Sequence, residues 1–337
     1  MKYLVISLGL ITSGSAWAMA PLPDSVPVPA DNPMTAAKVE LGKQLFFDPR
    51  LSVDGTVSCN SCHNVMASGT DNRATSVGIN GQRGGRSAPT VWNAAYLSAQ
   101  FWDGRAATLE DQAKGPPLNP IEMGMPSAKA VEDRLSSIPG YKAQFEAVFG
   151  GVSYDNMAKA IAAYERTLIT RNSPFDRYMK GDKTAMSEQA VKGMKRFEEL
   201  GCSGCHSGAN FAGPEMAVGE GFYQKFPTHD SEYTQKYDLK SDQGRFGVTK
   251  KPEDMNVWRV PSLRNIATTA PYFHNGSVKT LGEAIRVMGA TQLNKTLSDE
   301  EVADLSAFLK SLTGDFPEQT MPRLPGIAGT SMVGDEK

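Results

Sequence analysis

The sequence predicts a mainly α-helical chain of two similar halves with long loops. Three observations carry this: the pattern Cys-x-x-Cys-His occurs twice, a short amphipathic segment with an internal glycine precedes each copy, and a capped amphipathic segment closes each half.

Taken in order, the chain opens with a leader. Residues 1–20 carry one positive charge at Lys2, an apolar run from Tyr3 to Ile11, and small residues offering two cleavage signals, Ala16-Trp17-Ala18 and Ala18-Met19-Ala20. The run falls short of the roughly 20 apolar residues that a membrane-spanning helix needs. A secretory signal peptide is therefore expected, cleaved after Ala18 or Ala20, and the mature protein is expected in the periplasm.

The first half then reaches Cys59-Asn60-Ser61-Cys62-His63. Two thiols at this spacing add across the two vinyl groups of a porphyrin, and the adjoining histidine is left beneath the ring as an iron ligand. A lone Cys-x-x-Cys also suits zinc or a disulfide. Here the only other cysteines, Cys202 and Cys205, are again followed by a histidine, His206, so all four fall into the same pattern. Two covalent c-type haems are the expected cofactors, and an oxidising compartment agrees with the absence of any spare thiol.

The motifs lie 143 residues apart, about one domain each. Before the first comes Val39–Phe47, with Gly42 four residues ahead of Phe46; before the second comes Ala190–Phe197, with Gly193 four ahead of Phe197. In each, the glycine permits close packing and the ring covers the haem region. The first half is expected to close with a helix from Ser153 to Leu168, capped by Ser153 or Asp155 and carrying Met157, Ile161, Tyr164 and Leu168 at helical spacing. In the second, Ser298 and Glu301 form a capping box ahead of Val302, Leu305, Phe308, Leu309 and Leu312, with Gly314 as the stop. The plan is thus a leader (1–20), an N-terminal cytochrome c-like domain (21–180), a C-terminal one (181–314) and a tail (315–337) rich in proline and glycine that wraps the surface or frays.

A formal charge of −2, or −3 once Lys2 leaves with the leader, suggests neither nucleic acid nor an anionic membrane as partner. It leaves room for local patches that dock a small redox protein.

Between the motifs the chain is longer than a simple electron carrier requires. Ala99–Ala107, with Phe101-Trp102-Asp103-Gly104-Arg105, is followed by Glu110–Pro116 and by Asn119-Pro120-Ile121-Glu122-Met123-Gly124. Together with Ala270-Pro271-Tyr272-Phe273-His274 and Val287-Met288-Gly289, and with the paired haem motifs, these resemble the bacterial dihaem cytochrome c peroxidases over nearly the whole mature chain. The resemblance implies that the N-terminal haem on Cys59, Cys62 and His63 is the peroxide site. Gln112 and Glu122 match its distal glutamine and acid, and Trp102 matches the tryptophan placed between the haems. It implies that the C-terminal haem on Cys202, Cys205 and His206 receives electrons, with Met288 as sixth ligand, a thioether that raises the potential. It also implies a calcium ion between the haems, held partly by the carbonyls of Thr269 and Pro271, although the family's asparagine ligand falls here at Ser87; a homodimer; and a small periplasmic cytochrome c or cupredoxin as donor. His274 takes a structural role near the haem interface. His229, in a polar stretch expected to be a loop (Thr228–Gln243), is given none.

The expected reaction is reduction of hydrogen peroxide to water, with Glu122 moving the proton. Two alternatives are weighed against it. An oxidase that modifies a partner protein, like the quinone-forming dihaem relative of methylamine metabolism, is disfavoured because that relative has tyrosine where this chain has Met288. A dihaem electron carrier without enzymatic activity leaves Gln112 and Glu122 without a task. In many family members a histidine after the first motif ligates the peroxide haem in the oxidised enzyme and must swing away before peroxide binds. Here Ile79 stands at that place in Thr75–Gln82, and isoleucine cannot bind iron.

Overall fold

The computed structural model describes residues 18–326, so all of the predicted leader except Ala18, Met19 and Ala20 lies outside the described residues. In the first half the helices are α1 (Ala36–Phe47), α2 (Cys59–Cys62), α3 (Leu109–Ala113), α4 (Gly115–Leu118), α5 (Ala128–Ser137), α6 (Pro139–Phe149) and α7 (Tyr154–Glu165). At the join α8 (Pro174–Met179), inside the expected N-terminal bounds, packs Phe175 into the second core, and the second half continues with α9 (Glu188–Glu199), α10 (Glu232–Lys236), α11 (Phe246–Thr249), α12 (Leu281–Leu293) and α13 (Asp299–Lys310). Between them, β1 (Tyr223–Lys225) and β2 (Val257–Arg259) form an antiparallel pair with Gln224 opposite Trp258. The fold is mainly helical with two cytochrome c-type units, as expected.

Local chemistry explains the ends of the long helices. Thr35 caps α1 by accepting from the Lys38 amide. Ser153, not Asp155, caps α7, and the helix ends at Glu165, three residues short of the expected Leu168. At α13 the Ser298 hydroxyl accepts from the Glu301 amide, and the Glu301 carboxylate accepts in return from the Ser298 amide, the reciprocal box that the sequence announces. That helix stops at Lys310 rather than running to Gly314. The glycine instead lies against the chain at Thr170 and Arg171, where an added Cβ would sit 2.7 Å from the Arg171 carbonyl oxygen.

The two halves share one packing device. Helix α1 crosses α7 at Gly42, where a Cβ would lie 1.8 Å from the Ala160 carbonyl oxygen; α9 crosses α13 at Gly193, where it would lie 1.9 Å from that of Asp304. Only a residue without a side chain lets the backbones approach this closely. Four residues beyond each glycine the ring meets an aromatic of the closing helix, Phe46 on Tyr164 at 5.3 Å and Phe197 on Phe308 at 5.2 Å. Each crossing anchors its own core, one around Leu41, Phe46, Tyr141 and Ile161, the other around Phe175, Phe197, Phe211 and Phe308.

The chain ends are exchanged between the halves. Met19 is buried in the C-terminal core, and its neighbours Ala18 and Ala20 offer carbonyls to the Gly208 amide (3.0 Å) and to Arg264 Nη2 (3.0 Å). The strap then runs back over the first half, where Asn32 donates to Glu110 and to the Lys159 carbonyl. In the opposite direction, the tail beyond Gly314 lies on the N-terminal half: Phe316 meets Trp92 edge-on at 5.1 Å, and Tyr164 donates to Gln319. As far as Gly326 the tail wraps rather than frays.

Candidate active site

Helix α2 is a single turn that presents both cysteines of the first motif. Ser58 and Ser61 cap it reciprocally, and the His63 amide closes it on the Cys59 carbonyl at 2.9 Å. The His63 ring donates from Nδ1 to the Pro89 carbonyl at 2.9 Å. This fixes the tautomer and leaves Nε2 free as an iron ligand. The second motif repeats the arrangement, with His206 closing on Cys202 and its Nδ1 donating to the Phe211 carbonyl at 3.1 Å. Burial lowers the proton affinity of both rings, the state that a metal-ligating imidazole needs.

Beyond His63 two loops, one carrying Ile79 and the other Glu122, are locked together. The Ile79 amide donates to the Glu122 carbonyl (3.0 Å), and Gln82 Nε2 donates to that of Pro120 (3.1 Å). Gly78 is needed at this contact because a Cβ would fall 1.9 Å from the Ile121 carbonyl oxygen. The Ile79 side chain is buried, and with Val53 it fills the space above Gly124.

Glu122 is half-buried. Asn119, whose Oδ1 accepts from the Ile121 amide, is thereby oriented to donate from Nδ2 to Glu122 Oε1 at 2.9 Å. Burial pushes the Glu122 carboxyl above the usual carboxylate range, opposed by the positive charge of Arg105 and by the Asn119 hydrogen bond. Arg105 itself lies on the Phe101 ring, 3.4 Å from its centroid, and pairs with Asp103. Gln112, on α3, is half-buried, and its side chain makes no hydrogen bond among the described residues.

One short segment joins this site to the second. Pro89 holds His63, while two residues earlier the Ser87 carbonyl accepts from Trp102 Nε1 at 2.8 Å and the Ser87 amide donates to the His274 carbonyl at 2.7 Å. The residues preceding Trp102 and His274, Phe101 and Phe273, both adopt positive φ (68° and 69°), a conformation that costs a bulky side chain on the order of 1–3 kcal/mol. Arg105 covers the first ring, and Phe226 stacks on the second at 5.1 Å.

On the far side of that segment lies a largely apolar cavity of about 290 Å³. His206 and Met288 both line it, with Cys202, Cys205, Phe197 and Trp102. Met288 is carried there by α12, a helix that Thr280 caps through the Glu283 amide. Thr269, Pro271 and Ser87 also line the cavity, and the carbonyls of Thr269 and Pro271 accept no hydrogen bond among the described residues. Groups of three or more His, Cys, Asp or Glu side chains able to hold a metal ion are absent among the described residues. His274 is buried against Trp258, while His229 is exposed and its stretch contains the one-turn α10.

An unpaired cysteine pair, an imidazole with Nδ1 committed to a carbonyl, and, in the second half, an apolar cavity faced by a thioether fit covalently attached haem. Arg105 and Asn119 were given no role by the sequence. Asn119 carries a local signal, since it stands three residues before Glu122, but Arg105 reaches Glu122 only through the fold.

The fold and the two sites define a two-haem c-type cytochrome. The profile of the di-haem cytochrome c peroxidases matches residues 36–184, and that of cytochrome c matches residues 190–313. The chain is 46% identical to cytochrome c551 peroxidase of Pseudomonas aeruginosa, over 92% of this chain and 88% of that protein. It is 44% identical to cytochrome c551 peroxidase of Nitrosomonas europaea, over 96% and 94%. Among solved structures, a MauG-like protein associated with microbial copper homeostasis superposes with a TM-score of 0.75 at 31% identity, covering 87% of this chain and 95% of that one. The chain belongs to the di-haem cytochrome c peroxidase family; it is an enzyme of that family and carries two c-type haems.

Proposed function

We propose that the chain reduces hydrogen peroxide to two waters at the N-terminal haem, taking two electrons and two protons, with the electrons arriving singly through the C-terminal haem from a small periplasmic cytochrome c or cupredoxin. Bound haem supplies the redox chemistry; the chain's residues hold it and manage protons. Glu122 takes a proton from one peroxide oxygen and returns it to the departing oxygen, so that water leaves. The observation that carries this reading is a carboxyl whose proton affinity is raised by burial, held by Asn119 and close enough for its charge to act on Cys59 and Cys62. Gln112, unengaged and nearby in sequence, orients peroxide or water. Trp102 passes electrons between the haems in this reading, supported by its hydrogen bond to the Ser87–Pro89 segment that also holds His63 and by its place on the cavity lined by His206. Met288 is the sixth ligand of the C-terminal haem.

Calcium at the carbonyls of Thr269 and Pro271 belongs to the same reading, with the Ser87 hydroxyl supplying an oxygen or a water. Calorimetric titration with calcium, absent on a Thr269-to-Pro271 loop variant, checks it. The experiment for the main reading is Glu122→Gln. Both haems remain attached and the C-terminal haem keeps its spectrum, while peroxide turnover with a reduced small donor falls at least roughly 10²-fold. Wild-type turnover in that variant overturns the assignment.

A further inference from the structure

Three buried side chains beside the C-terminal cavity carry nitrogens that lack a charged or hydrogen-bonding partner. Arg259, 4% exposed at the end of β2, donates from Nε to the Phe101 carbonyl and from Nη1 to that of Val260, but pairs with no carboxylate among the described residues. Asp103, whose charge acts on Arg259, is already engaged by Arg86 at 2.6 Å and Arg105 at 3.1 Å. Trp258 Nε1 and His274 Nε2 are buried without hydrogen-bond partners. All three residues line the cavity that His206 and Met288 face. Arg86, lying 4.9 Å from the Trp258 ring, spends its own charge on Asp103 and Asp242. A buried guanidinium without a counter-anion is costly, because desolvation of a charge is repaid only by a close opposite charge. Two unpartnered buried nitrogens beside it raise that cost further.

The missing partner is an anion that enters with the cofactor. A porphyrin of the c type carries two propionate carboxylates at the edge opposite its thioether bonds, and these need donors wherever the ring is buried. We propose that Arg259, with the indole N–H of Trp258 and Nε2 of His274, receives a propionate carboxylate of the C-terminal haem and so sets the reduction potential of that haem. The inference rests on the two-haem reading of the site. An unpaired propionate favours ferric iron by its negative charge, and the guanidinium cancels that preference. Arg259 is thus a positioning and tuning residue, not a catalytic one.

The test uses the holoprotein with its haem content measured per chain. In Arg259→Gln the potential of the C-terminal haem falls by about 59 mV or more, a tenfold change in its one-electron reduction equilibrium. The N-terminal potential does not move, and the thioether-to-iron absorption band of the C-terminal haem is kept. Arg259→Lys, which retains the cation, restores most of the loss. Two attached haems with unchanged potentials in Arg259→Gln overturn the proposal, as does an equal shift of both haems. Where Arg259→Gln does not retain haem, Trp258→Phe decides: losing the N–H alone lowers the same potential by a smaller amount, and no shift overturns the proposal. A wild-type chain with fewer than two haems removes the reading beneath the proposal and is recognised by the haem count before any potential is measured.

Discussion

Arg105 is held in place by the Phe101 ring and Asp103, and its charge opposes the burial that raises Glu122. A carboxyl that must accept a proton has to be ionised, so activity is lost as pH falls through its raised pKa. Removing the cation raises that pKa further. Arg105→Gln is therefore expected to move the acid limb of the kcat/KM profile to higher pH while leaving the alkaline side in place, and a profile superposable on wild type separates Arg105 from Glu122. The cysteines and histidines assigned to haem stand out in the sequence because they are contiguous, and Glu122 is singled out by the family motif around it. Arg105 is not: its effect depends on a positive φ at Phe101 and on a loop brought alongside by tertiary packing, neither of which leaves a local pattern.

At the scale of elements, the repeated helix crossing was legible from Gly42–Phe46 and Gly193–Phe197, since one spacing announces both a close approach and the ring beside it. Helix α12, which carries Met288, was not, because its buried residues are spread among polar and small ones. The crossing yields a direct expectation. A methyl group at Gly193 meets the Asp304 carbonyl and the Phe308 Cβ, both fixed in α13. Gly193→Ala should thus destabilise the C-terminal half by about 1–3 kcal/mol or more, as overpacking does, read as an earlier loss of the C-terminal haem signal in a denaturant titration. The loop bearing Ile79 gives another. It is pinned to the Glu122 loop by two hydrogen bonds and a buried side chain, with no imidazole on it. The all-ferric protein is therefore expected to show a high-spin N-terminal haem by electron paramagnetic resonance and to consume peroxide without prior reduction. Low-spin signals from both ferric haems, with a lag abolished only by pre-reduction, would mean that another residue supplies a sixth ligand.

At the scale of the molecule, the sequence placed two halves, a leader and a tail, and missed the exchange of ends. Nothing local says that Met19 belongs to a core formed by residues more than 150 positions later. That contact distinguishes the two cleavage signals. Processing after Ala18 loses only the Gly208–Ala18 hydrogen bond and keeps Met19 in the core and the Ala20 carbonyl on buried Arg264; processing after Ala20 removes all three contacts and leaves a guanidinium N–H unpaired. The intact mass of the secreted holoprotein should correspond to a chain starting at Met19. A start at Pro21 refutes this choice, and a retained leader refutes cleavage itself.

The exchanged ends also bear on the order in which the molecule can be made. A chain threaded outward N-terminus first delivers its strap early, yet the core that Met19 joins includes Phe175, Phe211 and Phe308 and is complete only when nearly all of the polypeptide has crossed. The first half, in turn, waits for Phe316 to cover Trp92. Each half thus completes its packing with a segment from the far end of the chain, and the two crossed ends tie the two units into one closure.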